Sequence, residues 1–192
     1  MTPHSLDFNL PDSEATEALG RALARSLPGA TATGGKAAGG KAAGGKAAGE
    51  DLSKGAVVYL TGELGAGKTT CVRSLLRTLG VAGLVRSPTY TLVETYPVGA
   101  LTCVHVDLYR LQTVTEVDEL GLRDLLSPGS LLLVEWPEKG GVALPPADLY
   151  LTLEYAGAAR YALLIARTPL GSKWLENLGQ DNSLSSYVSN LT

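Results

Sequence analysis

Apolar side chains recur three and four positions apart in two stretches of the chain. The first stretch, residues 11–28, predicts an amphipathic helix for which Asp12 or Ser13 is available as the N-cap. In the second stretch, residues 72–79, a valine and three leucines mark one face of a helix that Gly80 can end. Each helix is therefore expected to pack by one face on the rest of the protein.

Two shorter stretches are apolar with little interruption. They read AVVYL at residues 56–60 and SLLLVEW at residues 130–136. Because strands that are covered on both faces carry apolar side chains at successive positions, both runs predict buried strands of a parallel sheet.

Two pairs of segments predict antiparallel hairpins. Residues 89–97 and 101–110 both have strand character and are joined by a turn near Val98 and Gly99. Residues 148–168 contain a second pair of alternating segments with a glycine between them. We expect this second hairpin to be added at the edge of the sheet, which gives a mixed sheet with a parallel core and antiparallel additions.

Shorter signals complete the prediction of secondary structure. Thr115 and Asp118 have the spacing of a capping box and predict a helix that continues to about Leu126, where Ser-Pro-Gly follows. A last short helix is predicted from Lys173 to Leu178.

A low-complexity segment separates the first helix from the first buried strand. GGKAA occurs three times in residues 34–48, and its glycine pairs oppose helix formation while its sequence offers nothing to bury. We interpret residues 31–54 as a flexible, solvated insertion, with a lysine-bearing arm that touches RNA as the alternative. Residues 1–192 are otherwise expected to form one domain, with a polar and mobile C-terminal tail at 179–192.

Composition limits the function without defining it. A chain of 192 residues with 45% hydrophobic and 18% charged residues is typical of a globular protein with a real core. The net charge of -3 offers no general attraction for nucleic acid or an anionic membrane. Cys71 and Cys103 lack the spacing of a zinc site and are interpreted as buried thiols. With no apolar stretch of membrane-spanning length and no targeting segment, we expect a cytoplasmic protein.

The sequence TGELGAGKTT at residues 61–70 follows the first buried strand and precedes a helix. It fits G-x-x-x-x-G-K-[ST] in the context that a phosphate-binding loop requires, which predicts a P-loop NTPase-like three-layer fold. Lys68 is expected to contact the β and γ phosphates of a nucleoside triphosphate, and Thr69 is expected to bind Mg²⁺. The predicted nucleotide-binding residues are Gly62, Glu63, Leu64, Gly65, Ala66, Gly67, Lys68, Thr69 and Thr70.

Two carboxylates follow predicted strands and are candidates for hydrolysis. Glu135 ends the run LLLVE, which is the pattern of a strand whose terminal carboxylate holds Mg²⁺. Asp107 could complete the metal site, orient water as a base, or form an ion pair with Arg110, and the sequence leaves these roles open. His105 alternates with Asp107 and is interpreted as structural.

The segment RSPTYT at residues 86–91 lies between the P-loop helix and the next strand. Ser87 and Thr89 carry hydroxyls that can sense the γ-phosphate or its metal, while Pro88 stiffens the turn. The alternative is a plain loop.

Four motifs occur in order: GELGAGKTT, SPTYTLVETY, HVDLYRL and LLLVEWPEKG. As an ordered set they resemble the TsaE (YjeE) family of bacterial P-loop ATPases in tRNA threonylcarbamoyladenosine biosynthesis. The resemblance runs from the first helix to about Tyr155. It implies a P-loop sheet with parallel and antiparallel strands between helices.

The resemblance also implies a slow ATPase that works with TsaD and TsaB. Those proteins transfer a threonylcarbamoyl group to the adenosine beside the anticodon of certain tRNAs, and ATP hydrolysis would reset them between rounds. By position, Thr69 and Glu135 match metal-site residues of the family, and Asp107 matches an acidic residue needed for hydrolysis.

Other functions are compatible with a P-loop. A small-molecule kinase needs a lid rich in arginine, whereas the chain after Glu135 offers WPEKGGVALPPADLY with Lys139 as its one basic residue. A nucleotide-dependent binding module would need no hydrolysis. Direct catalysis on tRNA is disfavoured by the acidic balance of the chain.

Overall fold

The structure is a computed structural model that describes residues 4–29 and 52–189. Residues 31–51 of the predicted insertion, including all three GGKAA units, lie outside the described residues, as do the last three residues of the predicted tail. Within the described ranges no helix is long and apolar enough to cross a membrane.

Seven strands and four α-helices make up the regular structure of the described residues. The strands are β1 (Ser5–Leu10), β2 (Ala56–Thr61), β3 (Val93–Val98), β4 (Leu101–Asp107), β5 (Ser130–Glu135), β6 (Leu149–Ala156) and β7 (Ala159–Ala166). The helices are α1 (Ser13–Ser26), α2 (Lys68–Leu79), α3 (Val114–Glu119) and α4 (Pro169–Leu178). Three short 3-10 turns follow β5 and α4.

The strands form one mixed sheet in the order β1-β7-β6-β2-β5-β4-β3. The four central strands, β6, β2, β5 and β4, are parallel to one another. Antiparallel pairing adds β3 on one side and then β7 and β1 on the other. The predicted mixed sheet with a parallel core and antiparallel additions is confirmed.

Helices cover both faces of the sheet. Successive residues of β5 point to opposite faces. Leu131 and Leu133 belong to one buried cluster with α1, α2 and α4. Leu132 and Val134 belong to a second cluster with α3. Near-continuous apolar runs in the central strands are therefore required by a three-layer arrangement.

The two cysteines are buried and unpaired, as predicted. Burial raises the pKa of both thiols to about 12, so Cys71 and Cys103 stay protonated at neutral pH and are poor nucleophiles.

Two predictions about strands need correction. The hairpin of β6 and β7 does not lie at the edge of the sheet, because β1 pairs with β7 along its full length from Ser5–Ile165 to Leu10–Arg160. β1 was not predicted from the sequence. In addition, β3 begins at Val93 rather than at Thr89, since residues 90–92 form a turn that Leu92 completes with a positive φ of 64°.

The helix after β4 begins earlier than predicted and is shorter. Its N-cap is Thr113, not Thr115, and the capping box pairs Thr113 with Glu116. The helix ends at Glu119, and residues 120–125 are turns rather than helix. The last helix also begins earlier, at Pro169, because Thr168 caps it through a hydrogen bond from the amide of Gly171.

The segment after α4 is packed as far as Ser189. Leu184 is buried, the amide of Asn9 donates to the carbonyl of Tyr187, and Phe8 pairs with Val188. Arg25 on α1 forms an ion pair with Asp181 at 2.8 Å. The described part of the predicted tail is therefore held against β1 and α1.

Candidate functional site

The candidate site lies where the parallel strands β2, β4 and β5 end. Asp107 and Glu135 are the last residues of β4 and β5 and are paired neighbours in the sheet. Leu60 of β2 pairs with Glu135 on the other side. Because carboxyl ends of parallel strands meet at one edge, the loops that follow them converge there.

The loop between β2 and α2 has the backbone of a phosphate cradle. Gly62, Gly65 and Gly67 all have positive φ, at 126°, 81° and 111°. At Gly62 a Cβ atom would lie 2.0 Å from the carbonyl oxygen of Leu153, so only glycine fits the turn. Gly67 caps α2 without a side-chain hydrogen bond, and the first turn carries no acidic residue. The amides and the dipole of α2 can therefore act on an anion.

Lys68 is held inside this loop by three contacts. Its Nζ atom donates to the carbonyl oxygen of Gly62 at 2.6 Å and to that of Glu63 at 2.9 Å. It also lies 4.1 Å from the ring centroid of Trp136. Burial lowers the pKa of the Lys68 ammonium, and the negative charges of Glu135 and Asp107 oppose that shift.

Glu135 is the centre of a buried hydrogen-bonded cluster. The hydroxyl of Thr69 lies 2.8 Å from Oε1 and 3.0 Å from Oε2 of Glu135. The Nε2 atom of His105 lies 2.8 Å from the same Oε1. This cluster joins the start of α2 to the ends of β4 and β5.

Asp107 has a different set of partners. Its Oδ2 accepts hydrogen bonds from the hydroxyls of Thr89 at 2.8 Å and Ser87 at 3.2 Å, and its Oδ1 accepts one from the amide of Tyr109 at 3.0 Å. The Ser87 and Thr89 hydroxyls are 2.6 Å apart. Arg110 is not paired with Asp107 among the described residues, since its guanidinium stacks on the ring of Tyr90. Asp107 therefore ties the segment at 86–91 to the end of β4.

One cavity brings most of the predicted residues together. It is lined by Leu64, Gly65, Gly67, Lys68, Thr69, Thr70, Ser87, Thr89, Asp107, Tyr109, Glu135 and Trp136. Three predicted loop residues do not line it. Gly62 makes the turn, the side chain of Glu63 is exposed, and Ala66 is buried below the loop.

Two aromatic residues that line this cavity were not predicted from the sequence. Tyr109 and Trp136 directly follow the strands that end in Asp107 and Glu135, and their rings lie 5.0 Å apart. Trp136 adopts a left-handed backbone with φ of 60°, which is rare for an aromatic residue. Both residues follow a strand that ends in a carboxylate, and this position in the sequence could have been used to predict them.

The residues that lie against the loop from α1, β6 and β7 were not predicted from the sequence either. A Cβ on Gly67 would lie 3.1 Å from Thr16 and 3.5 Å from Nε of Arg160, which places α1 and β7 against the loop. The hydroxyl of Tyr155 donates to the carbonyl of Leu64 at 3.1 Å. Arg160 adds a positive charge near a predicted phosphate site.

The residues present fit a magnesium nucleotide. Mg²⁺ prefers hard oxygen ligands and is commonly held by one or two carboxylates together with phosphate oxygens. Thr69 and Glu135 supply such oxygens beside the loop. The described part of the chain holds no group of three His, Cys, Asp or Glu side chains placed to bind a metal by themselves, so the phosphates would have to complete the ligand set.

Comparison with known proteins gives a consistent result. Residues 10–162 match the sequence profile of the family described as "Threonylcarbamoyl adenosine biosynthesis protein TsaE". The chain is 48% identical over 118 residues to tRNA threonylcarbamoyladenosine biosynthesis protein TsaE of Haemophilus influenzae, which covers 62% of this chain and 75% of that protein. It is 36% identical over 143 residues to the protein of that name from Synechocystis, covering 72% and 74%.

A solved structure agrees on the fold. The crystal structure of YdiB from Bacillus subtilis superposes with a TM-score of 0.66 at 24% identity, covering 92% of this chain and 95% of that one. The matched profile spans every residue that lines the cavity, whereas α4 and the segment after it lie beyond the profile.

Proposed function

Because the chain belongs to the TsaE family of threonylcarbamoyl adenosine biosynthesis proteins, we propose that it binds and hydrolyses ATP within the machinery that makes tRNA threonylcarbamoyladenosine. The observation that carries the proposal is the hydrogen bond between Thr69 and Glu135. It joins the hydroxyl of a P-loop to a strand-terminal carboxylate 66 positions away, and these are the two groups that hold Mg²⁺ in P-loop enzymes.

The loop residues have separate roles in this proposal. Lys68 would leave the carbonyl groups of Gly62 and Glu63 and contact the β and γ phosphates, while the amides of the loop and α2 bind phosphate oxygens. Thr69 and Glu135 would hold Mg²⁺, which supplies charge neutralisation at the phosphates.

The carboxylates of Glu135 and Asp107 have different roles in this proposal. Glu135 contacts Thr69 and belongs to the metal site, whereas Asp107 is bonded to Ser87, Thr89 and the amide of Tyr109. We assign Asp107 the role of holding the hydroxyls of Ser87 and Thr89 at the cavity, where they can respond to the γ-phosphate. An effect of Asp107 on hydrolysis would then arise through this segment.

The proposed partners are those that the resemblance to the family implies. TsaD and TsaB are proposed to transfer the threonylcarbamoyl group, while this chain couples ATP hydrolysis to the cycle of that pair. The chain itself would not transfer the group.

The test measures ATP hydrolysis by the full chain alone and with the TsaD–TsaB pair, together with tRNA modification. Wild-type turnover should be slow alone and faster with the pair. Glu135→Ala and Asp107→Ala should abolish turnover and modification while partner binding persists. Glu119→Ala is a matched control, because Glu119 is an exposed carboxylate at the end of α3 that does not line the cavity.

Two results would contradict the proposal. If the TsaD–TsaB pair does not stimulate ATP hydrolysis, these proteins are not the partners of the chain. Normal modification by both the Glu135 and Asp107 variants would show that nucleotide binding suffices, so the chain would act as a nucleotide-dependent binding module.

A further inference from the structure

His105 is a buried imidazole that none of the roles above uses. It lies on β4, is 0% exposed, and packs on the same side of the sheet as Cys103 and Asp107. We propose that His105 is a positioning residue that orients the carboxylate of Glu135 for Mg²⁺ by donating a hydrogen bond from Nε2. This inference rests on the proposed function and extends it to a further residue.

The arrangement of partners fixes which nitrogen carries hydrogen. Nε2 faces Oε1 of Glu135 at 2.8 Å, whereas Nδ1 is buried and has no hydrogen-bond partner among the described residues. A hydrogen on Nδ1 would leave a buried donor unpaired and would set the lone pair of Nε2 against a carboxylate oxygen. The hydrogen therefore lies on Nε2, and His105 is the donor.

A purely structural role explains this residue poorly. Its neighbours on the same face of the sheet, Cys103 of β4 and Leu133 of β5, are apolar and fully buried. An imidazole at this position costs desolvation that an aliphatic side chain avoids, and its Nδ1 gains no partner in return. The hydrogen bond to Glu135 is the contact that offsets this cost of desolvation.

The geometry shows how that bond acts. Thr69 has a single hydroxyl hydrogen, which it shares between Oε1 and Oε2 of Glu135. This shared contact alone leaves the carboxylate free to rotate about its own axis. The second donor, His105, comes from a different strand and contacts Oε1 only. Two donors from two elements define the plane of the carboxylate and hold it at the cavity.

Side-chain amides provide a sharp test. Nε2 of glutamine lies as many bonds from Cα as Nε2 of histidine, whereas the amide nitrogen of asparagine is one bond shorter. His105→Gln can keep the donor, and His105→Asn cannot reach Glu135. His105→Leu removes the donor and fills the same buried space with an apolar side chain. If His105→Asn does not fold, His105→Leu can be compared with His105→Gln in its place. Cys103→Ala is the matched control, because it opens the same buried face without touching Glu135.

The measurement is ATP affinity by calorimetry, once with Mg²⁺ and once with EDTA, with the Tm of each variant from circular dichroism. Loss of a residue that orients a metal ligand typically costs about 10-fold to 100-fold in metal affinity or activity. His105→Asn and His105→Leu should therefore lose most of the affinity gained from Mg²⁺ while keeping their affinity in EDTA. His105→Gln should keep that gain, and Cys103→Ala should lower the Tm only.

The outcomes distinguish this inference from the proposed function. If ATP binding by the wild-type protein does not depend on Mg²⁺, the proposed function fails and the inference fails with it. If wild-type binding depends on Mg²⁺ and both His105→Asn and His105→Leu keep the wild-type gain in affinity from Mg²⁺, the inference alone is overturned. It is also overturned if His105→Gln is as impaired as His105→Asn, or if affinity falls equally with Mg²⁺ and EDTA.

Discussion

Gly20 sets the distance between α1 and α2, and replacing it with alanine should push the two helices apart. A Cβ at this position would lie 2.3 Å from the carbonyl oxygen of Cys71 and 3.0 Å from Cβ of Ser74. The first contact is with backbone, so no rotamer change can relieve it. Nonbonded contacts prefer about 3.5 Å or more, and the helices would have to separate by about 1 Å.

The size of the effect follows from two opposing contributions. Overpacking of this kind costs about 1–3 kcal/mol, while alanine is more favourable than glycine within a helix by about 0.5–1 kcal/mol. Because the 2.3 Å clash is with a backbone atom, the overpacking cost lies in the upper half of that range, at about 2–3 kcal/mol, and the net loss for Gly20→Ala is about 1–2.5 kcal/mol. In a chain of this size each kcal/mol lowers the Tm by about 2–4 °C, so the Tm should fall by about 2–10 °C.

Thermal unfolding of Gly20→Ala beside Gly179→Ala tests this reasoning. Gly179 ends α4 with φ of -64°, and a Cβ there would be 3.4 Å or more from its nearest neighbour. Gly179→Ala should therefore leave the Tm unchanged or slightly higher. ATP affinity of Gly20→Ala should fall as well, because Thr16 of α1 lies against Gly67 of the loop. A Tm for Gly20→Ala equal to or above that of Gly179→Ala would refute the argument.

Two further predictions concern Lys68 and the C-terminal segment. Since burial lowers the pKa of Lys68, the charged form costs stability at neutral pH, and the cost is relieved as the pH rises toward the ordinary value of 10.5. Lys68→Met should abolish ATP binding in calorimetry. As the pH rises toward 10.5 the wild-type protein is relieved of this cost and the variant is not, so the Tm of the variant should fall relative to that of the wild type; a Tm difference that does not change with pH would contradict this. Truncation of residues 181–192 removes Leu184, which is 1% exposed and worth about 2 kcal/mol by burial, so the Tm should fall by about 4 °C or more. An unchanged Tm would mean that this segment does not contribute to stability.

The central strands and the P-loop helix could be predicted because their signals are local. β2 and β5 are apolar at nearly every position, and α2 follows a complete loop motif. β1 was missed although Leu6, Phe8 and Leu10 alternate with polar residues. Its partner β7 lies about 150 positions away in the sequence. The sequence near β1 therefore does not indicate that this segment joins the sheet.

The helix after β4 shows how two similar motifs compete. Thr113–Glu116 and Thr115–Asp118 both have the spacing of a capping box. The structure uses the first, where the carboxylate of Glu116 accepts a hydrogen bond from the amide of Thr113 at 2.8 Å and another from the amide of Gln112. These bonds lower the pKa of Glu116. Aspartate is one methylene shorter and reaches back less well, a difference that spacing alone does not reveal.

The part of the site that could be predicted is the part formed by the ends of adjacent strands. Glu135 and Asp107 share a cavity with the loop because β2, β5 and β4 are neighbours. The bond between His105 and Glu135 depends on the register that pairs Asp107 with Glu135, which no local pattern specifies. The contact of Arg160 with the loop depends on a hairpin placed beside β2, and it likewise required the structure.

The groups proposed to bind ATP are already bonded within the protein. Lys68 donates to the carbonyl oxygens of Gly62 and Glu63, and Thr69 donates to Glu135. Buried polar groups of this kind would be costly if unpaired, so these bonds allow the loop to fold without a ligand. Under the proposed function, ATP would have to exchange the bonds of Lys68 for new ones, and its affinity would reflect the difference between the two sets rather than the sum of the new contacts. The bond from His105 to Glu135 need not be exchanged, because Nε2 faces the carboxylate from within the sheet. It follows that His105 can keep Glu135, the proposed metal ligand, in place while its neighbours change partners.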